Sequence, residues 1–297
     1  MSSSPLLELE PHVRIIGSLF GNSASRRRGQ SDDVVSGRPY VTGDDVRRID
    51  WATSARLSAI RGEDHFVVRE SYGEEAPIVC FTVDRSASMG LYPREYPWLH
   101  KPDAVREMAE VVARAANHYH CPLSFLDDES WHPPSTTTGR EQLVELVEGR
   151  GYDGGEDTLD SLFGLLRSVE HLLPPGTFIF CCSDFLQVPA ERTLAMVADA
   201  EWGLVPIIVQ DPLWEQSYPE VAAGVALPVI DDDGRFRLLR QSKAEVRRRR
   251  EANEARMRRL EELFTGYGFP PVIISELGAD ALAEALRSWN LRRRPLR

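Results

Sequence analysis

Residues Val79–Met89 read VCFTVDRSASM. Val79 to Val83 are β-branched, aromatic or small and apolar, the composition of a fully buried central strand. Asp84, Ser86 and Ser88 follow where that strand would end, and Gly90 closes the turn. An Asp-x-Ser-x-Ser loop offers three oxygen ligands converging on one point, and a hard divalent cation such as Mg²⁺ suits them. The same pentapeptide also serves as an ordinary strand-to-helix loop with serine caps.

Two later segments bear on that choice. Thr158 lies in GGEDTLDSLFGLL, a Gly-rich loop opening an amphipathic helix, and Asp184 lies in FIFCCSDF, directly after a second apolar strand. A hydroxyl and a carboxylate therefore arrive from two further loops. In an open α/β sheet, ligand sites gather beyond the carboxyl ends of the strands, where the strand order reverses.

Together, DRSASM, Thr158 and Asp184 resemble the metal-ion-dependent adhesion site of von Willebrand factor A domains. Upstream, RPYVTGDDVRRIDWATSAR, Arg38–Arg56, is similar to the signature of the bacterial domain of unknown function 58 family. That family joins such a segment to an A-type domain. The resemblance implies an α/β, doubly wound, mostly parallel sheet of von Willebrand factor A-like, Rossmann type. It implies metal ligation by Asp84, Ser86, Ser88, Thr158 and Asp184, with an acidic residue of a partner at the open position. A MoxR-type AAA+ ATPase is the implied partner class. The GYDGGEDT loop is longer and more acidic than the Gly-Gly-Thr form common in A domains, so Thr158 is the weakest member of the set.

The pattern places an N-terminal extension at residues 1–76 and the A-type domain, with a C-terminal helical and β elaboration, at 77–297. Leu6 to Phe20 spaces apolar residues on one helical face, and Gly21 stops it. In the signature segment, Asp44 and Asp45 after Gly43 suit a helix N-terminus. Arg47, Arg48, Asp50 and Arg56 have charges that suit mutual pairing, and Trp51 reads as an apolar anchor. Arg38, Tyr40, Asp44, Asp45, Arg47, Asp50, Trp51 and Arg56 thus form either a brace or a partner-binding element. Leu91 to Pro102 reads as a loop rimming the metal site, and Asp103 to Tyr119 as a helix capped by Asp103. Further helices are expected over Arg140–Val147, Thr158–Leu172, Ala190–Ala200, Lys243–Thr265 (capped by Ser242) and Asp280–Trp289. Strands are expected over Cys121–Leu126, Thr177–Cys182, Leu204–Val209, Phe236–Leu239 and Val272–Ile274, with a hairpin signal at Asp231–Gly234.

Composition sets limits. The formal net charge of −11 disfavours general binding to phosphate backbones or anionic lipid. The arginine runs Arg26–Arg28, Arg247–Arg250 and Arg292–Arg294 lack interleaved aromatics, which counts against nucleic acid. No window approaches the roughly 18 apolar residues of a spanning helix, and the N-terminus lacks the pattern of a secretory signal. Cys80, Cys121, Cys181 and Cys182 show no C-x-x-C spacing and read as buried reduced thiols of a cytoplasmic protein. Asp84 as the nucleophile of a Mg²⁺-dependent phosphohydrolase is the enzymatic alternative. Such enzymes generally carry a second acid two residues on, where this chain has Ser86. The reading favoured by the sequence is a non-enzymatic adaptor that uses Mg²⁺, or Mn²⁺ or Ca²⁺, to bind a protein partner.

Overall fold

The computed structural model describes Leu7, Leu9 and residues 34–40, 49–71, 76–91, 99–155, 157–224, 226–230 and 236–292. Apart from Leu7 and Leu9, the expected helix over Leu6–Phe20 lies outside them, as do Asp44, Asp45, Arg47 and Arg48, the Asp231–Gly234 turn and most of the rim loop. The chain divides into a unit of Arg14–Glu75 and a unit of Ala76–Arg297 together with Met1–Val13.

The smaller unit pairs β1 (Val34–Pro39) antiparallel with β2 (Val67–Ser71), and α1 (Trp51–Arg61) lies between them in sequence. Asp50 caps α1, its Oδ1 accepting from the N–H groups of Ala52 and Thr53 at 3.1 Å each. Gly62, at φ 73°, ends it in the left-handed conformation that glycine adopts without a Cβ clash. The helix has little apolar surface to bury, and its attachment is polar. Ser54 Oγ accepts from Val67 N at 2.8 Å, and Ser58 Oγ accepts from His65 N at 2.8 Å. Trp51, expected as an apolar anchor, is 62% exposed and meets Phe66 edge-on, with ring centroids 6.1 Å apart. The helix is attached instead through Ser54 to β2 and through Ser58 to the residues just before it.

The larger unit is a mixed α/β layer structure. Its strands are β3 (Val79–Val83), β4 (Leu123–Leu126), β5 (Trp131–Ser135), β6 (Phe178–Ser183), β7 (Gly203–Val209) and β10 (Val272–Ile274). They form one sheet in the order β10-β7-β6-β3-β4-β5. Every neighbouring pair is parallel except β4 with β5. A separate antiparallel ribbon joins β8 (Ala226–Ile230) to β9 (Phe236–Arg240). The tandem Pro133 and Pro134 fall in β5 at the sheet edge, where a missing N–H is tolerated.

Strand side chains alternate between two cores. Val79, Phe81, Val83, Phe178, Phe180 and Cys182 enter one. It is closed by α2 (Lys101–His118), α3 (Arg140–Glu148) and α7 (Ala279–Arg292), through residues such as Met108, Leu143 and Trp289. Leu7 and Leu9 join this core. Cys80, Ile179, Cys181 and Ile208 enter the other, closed by α4 (Thr158–Ser168), α5 (Glu191–Asp199) and α6 (Lys243–Gly266). Burial on both faces explains why these strands read as unbroken apolar runs.

Two local expectations are corrected and one is met. Asp103 does not cap α2. The helix starts two residues earlier, with His100 at the cap position and Pro102 in the first turn, where its missing N–H costs nothing. Asp103 sits one turn in, and its Oδ2 lies 2.8 Å from His100 Nδ1. The helix opened by Thr158 ends at Ser168 and continues as a separate 3-10 turn, Glu170–Leu172. Ser242 does cap α6, in a reciprocal capping box with Glu245.

One side chain ties the loop after β3 to the rest of the unit. Arg85 is completely buried. Its guanidinium donates to the carbonyls of Val147 (2.8 Å), Arg150 (3.0 Å) and Leu146 (3.2 Å), closing the end of α3. It also donates to Asp127 Oδ2 at 3.3 Å and lies over the rings of Phe125 and Tyr152. Burial pushes the Asp127 carboxyl up, but hydrogen bonds from Ser130 and Glu129 and the Arg85 charge bring it below its ordinary value. That stabilisation is present above the ordinary aspartate pKa and is lost as pH falls below it.

Two outcomes follow. Replacing Arg85→Met takes the buried cation from Asp127, which Arg150 faces only at 3.6 Å, and leaves three carbonyls without this donor, which costs about 3–5 kcal/mol. Urea denaturation should show a correspondingly lower midpoint; an unchanged midpoint would contradict the brace. Burial also pushes Cys80 and Cys181 up to about 12 and Cys121 to about 11, and raises Cys182 well above its ordinary value. A thiol reagent at pH 8 should therefore react slowly with the native protein and with all four cysteines in guanidinium.

Candidate functional site

From β3 the chain moves to β4 on one side of the sheet, and from β6 it moves to β7 on the other. The crevice between the carboxyl ends of β3 and β6 is therefore where the strand order reverses. Asp84 follows β3 and Asp184 follows β6, each one residue past the end of its strand. Both are buried.

Asp84 is held at both oxygens. Oδ1 accepts from Ser86 N at 2.9 Å, and Oδ2 accepts from Ser183 Oγ at 2.6 Å. Ser183 is the last residue of β6, so one hydroxyl links the two strand ends. Burial pushes the Asp84 carboxyl up, the hydrogen bonds from Ser183 and Ser86 oppose that, and the Asp184 charge adds to it. The two acids are close enough to repel, and a cation between them would relieve both burial and repulsion.

Ser86 Oγ and Ser88 Oγ lie 3.2 Å apart. Adjacent oxygens of an octahedral Mg²⁺ shell with bonds of about 2.0–2.1 Å sit roughly 3 Å apart, so the pair has suitable spacing. The loop before α4 is drawn in by backbone bonds: Gly154 N donates to Arg85 O at 2.9 Å, and Ala87 N donates to Gly154 O at 3.0 Å. This approach requires glycine. A Cβ on Gly154 would stand 2.5 Å from Thr158 Oγ1 and 2.9 Å from the Arg85 carbonyl oxygen. Thr158 opens α4, is buried, and donates its hydroxyl to Gly155 O, leaving its lone pairs for another ligand.

Asp184 differs from the expectation of a free ligand. Its Oδ1 accepts from Leu186 N at 3.1 Å, and its Oδ2 accepts from Lys101 Nζ at 2.8 Å. Lys101 is completely buried and donates as well to Glu215 Oε1 at 2.6 Å and to the Ser88 carbonyl at 3.1 Å. Burial raises the Glu215 carboxyl, the Lys101 charge lowers it, and the Asp184 charge raises it again; the net shift is upward. Arg256 of α6 lies behind, donating to the Glu215 carbonyl. Phe185, directly after Asp184, is buried with φ 47° and packs edge-on to Phe264, 5.1 Å between centroids. A non-glycine residue in that conformation is strained, and here the strain turns the chain immediately beyond the acid.

The oxygen set fits a hard cation at Asp84, Ser86 and Ser88, with Thr158 beside them; Asp184 is engaged by Lys101. Among the described residues no group of three or more His, Cys, Asp and Glu side chains is arranged to hold a metal. Hydroxyls would have to complete the shell.

Sequence reasoning missed Ser183, Lys101 and Glu215. Ser183 could have been found as the hydroxyl preceding a strand-end acid. Lys101 had a weaker signal, a cation in a helix first turn where the dipole disfavours it. Of the signature segment, Tyr40 N donates to Phe66 O at 2.8 Å, Asp50 caps α1, and Arg56 is exposed. The backbone of Arg38 lies in β1.

No curated protein matches the sequence. Among solved structures, the chain is similar to the conserved hypothetical protein BatB from Bacteroides thetaiotaomicron. The identity is 10% and the TM-score 0.43, over 73% of this chain and 100% of that one. It is similar also to an uncharacterized membrane spanning protein from Vibrio fischeri, at 13% identity and a TM-score of 0.20, over 72% and 98% of the two chains. At such TM-scores neither likeness bears on the site. The family described as protein of unknown function DUF58 matches residues 36–260, a span containing both RPYVTGDDVRRIDW and DRSASM, and the chain belongs to that family.

Proposed function

We propose that the larger unit is a von Willebrand factor A-like domain and that the protein is a metal-dependent adaptor, binding an acidic group of a partner through Mg²⁺. The observation that carries this reading is the convergence of Asp84, Ser86, Ser88 and the Ser183–Asp184 pair at the reversal point of a parallel sheet. Mg²⁺ held there would supply an electrophilic position for an anionic ligand. The protein's own residues would orient the ion, and Arg85 and Gly154 would keep the hydroxyl-bearing loops in register. A MoxR-type AAA+ ATPase is the partner class that the family resemblance implies, and an unidentified client completes the assembly. A cytoplasmic location accompanies this reading; among the described residues no helix is long and apolar enough to cross a membrane.

The arginine run of α6 supports a nucleic-acid role less well. Arg250 donates to Tyr218 O and Glu220, and Arg249 lies over the Tyr218 ring at 5.7 Å. Arg247 Nε lies 3.9 Å from Glu251 Oε1, so three of its four cations are engaged within the chain.

Thermal unfolding with and without Mg²⁺ tests the metal. At 100 times the dissociation constant, bound ion would add about 2.7 kcal/mol, and the wild-type melting temperature should rise by several degrees over its value in EDTA. Asp84→Asn should show no Mg²⁺ response. In EDTA this variant should melt at or above wild type, because the raised Asp84 pKa means that the stability of the protonated acid is lost as pH rises through the folded value. An unresponsive wild type would overturn the metal site. The adaptor role is tested by partner capture: a MoxR-type ATPase retained in Mg²⁺ and released by EDTA is the expected result. Equal retention in both would overturn it.

A further inference from the structure

Lys101 heads α2 with its ammonium completely buried. The position is doubly unfavourable, because a cation there meets the positive end of the helix dipole and gives up its water. Three oxygens compensate it: Asp184 Oδ2 at 2.8 Å, Glu215 Oε1 at 2.6 Å and Ser88 O at 3.1 Å. They come from three places, the loops after β3 and β7 and the end of β6. The ammonium stands against one of the two acids expected to ligate the ion and against the backbone of one of the two serines.

We propose that Lys101 is the resident cation of this crevice and withholds Asp184 from a divalent ion, which is held by Asp84, Ser86, Ser88 and Thr158 and takes the missing negative charge from a carboxylate of the bound partner. This inference rests on the metal-dependent reading. Its physical basis is charge: before any ion enters, Lys101 pairs with Asp184 and Glu215, and Arg256 donates to the Glu215 carbonyl. A dication held mainly by Asp84 keeps an excess positive charge, so the ion binds weakly by itself and the protein–ion pair selects an anionic ligand.

The test is an electron paramagnetic resonance titration of Mn²⁺ on the full chain, without any partner. Lys101→Met should bind Mn²⁺ at least tenfold more tightly than wild type, because Asp184 is released. Glu215→Gln should bind it at least threefold more weakly, because the ammonium then serves Asp184 without a competing acid. Equal affinities would overturn the proposal, and so would a loss of affinity in both variants, the signature of a merely structural lysine. Should Lys101→Met fail to fold, Lys101→Gln takes its place: tighter binding supports the proposal, and unchanged or weaker binding overturns it. Mn²⁺ binding that Asp84→Asn abolishes and Lys101→Met leaves unimproved overturns this inference and spares the metal site. No binding by wild type or any folded variant overturns both.

Discussion

Burying a charge requires a partner of opposite sign, and the region beyond β3 buries two cations. Arg85 and Lys101 are both completely shielded from water, one within the DRSAS loop and the other at the head of the next helix. Each draws carboxylates from distant parts of the chain. Arg85 reaches Asp127 and the end of α3; Lys101 reaches Asp184 and Glu215. The strand ends cannot drift apart without exposing or stranding one of these charges. Apolar burial shapes the two cores, but it is non-directional. The ion pairs and their hydrogen bonds fix which loop faces which.

This division explains what the sequence made legible. Strands buried on both faces read as apolar runs, so β3, β6, β7 and β10 were visible, and the acids ending β3 and β6 were visible with them. The amphipathic faces of α2, α4 and α5 were equally plain. The partners of Asp184 were not, because Lys101 and Glu215 lie 83 and 31 residues away along the chain, and no periodicity reports such a meeting. Lys101 falls within the expected rim loop, Leu91 to Pro102, whereas the helix begins at Lys101 with Pro102 in its first turn, a position that suits proline. In the smaller unit, Trp51 misled for a different reason. Its size suggests burial, whereas α1 is attached through Ser54, whose hydroxyl bonds Val67 of β2, and Ser58, whose hydroxyl bonds His65 just before that strand.

The strained turn at Phe185 belongs to the same logic. Ser183 donates to Asp84 and accepts from Phe185 N at 2.9 Å. Gln210 donates to the Asp184 carbonyl from the end of the neighbouring strand. These bonds over-determine the backbone around Asp184, which is the condition under which a left-handed non-glycine residue persists. The cost secures the direction of one carboxylate and the position of the hydroxyl beside it.

A crevice with its own ammonium has a consequence for regulation under the adaptor reading. Thermodynamic reciprocity requires that, if a partner carboxylate strengthens ion binding, the ion strengthens partner binding by the same factor. A site with two free acids would hold its ion tightly whether or not a partner were present, and the ion would then be a fixture. With Asp184 turned toward Lys101 at 2.8 Å, ion and partner each depend on the other. Glu215 sets that balance, because it shares the ammonium with Asp184 from a loop that Arg256 of α6 holds from behind.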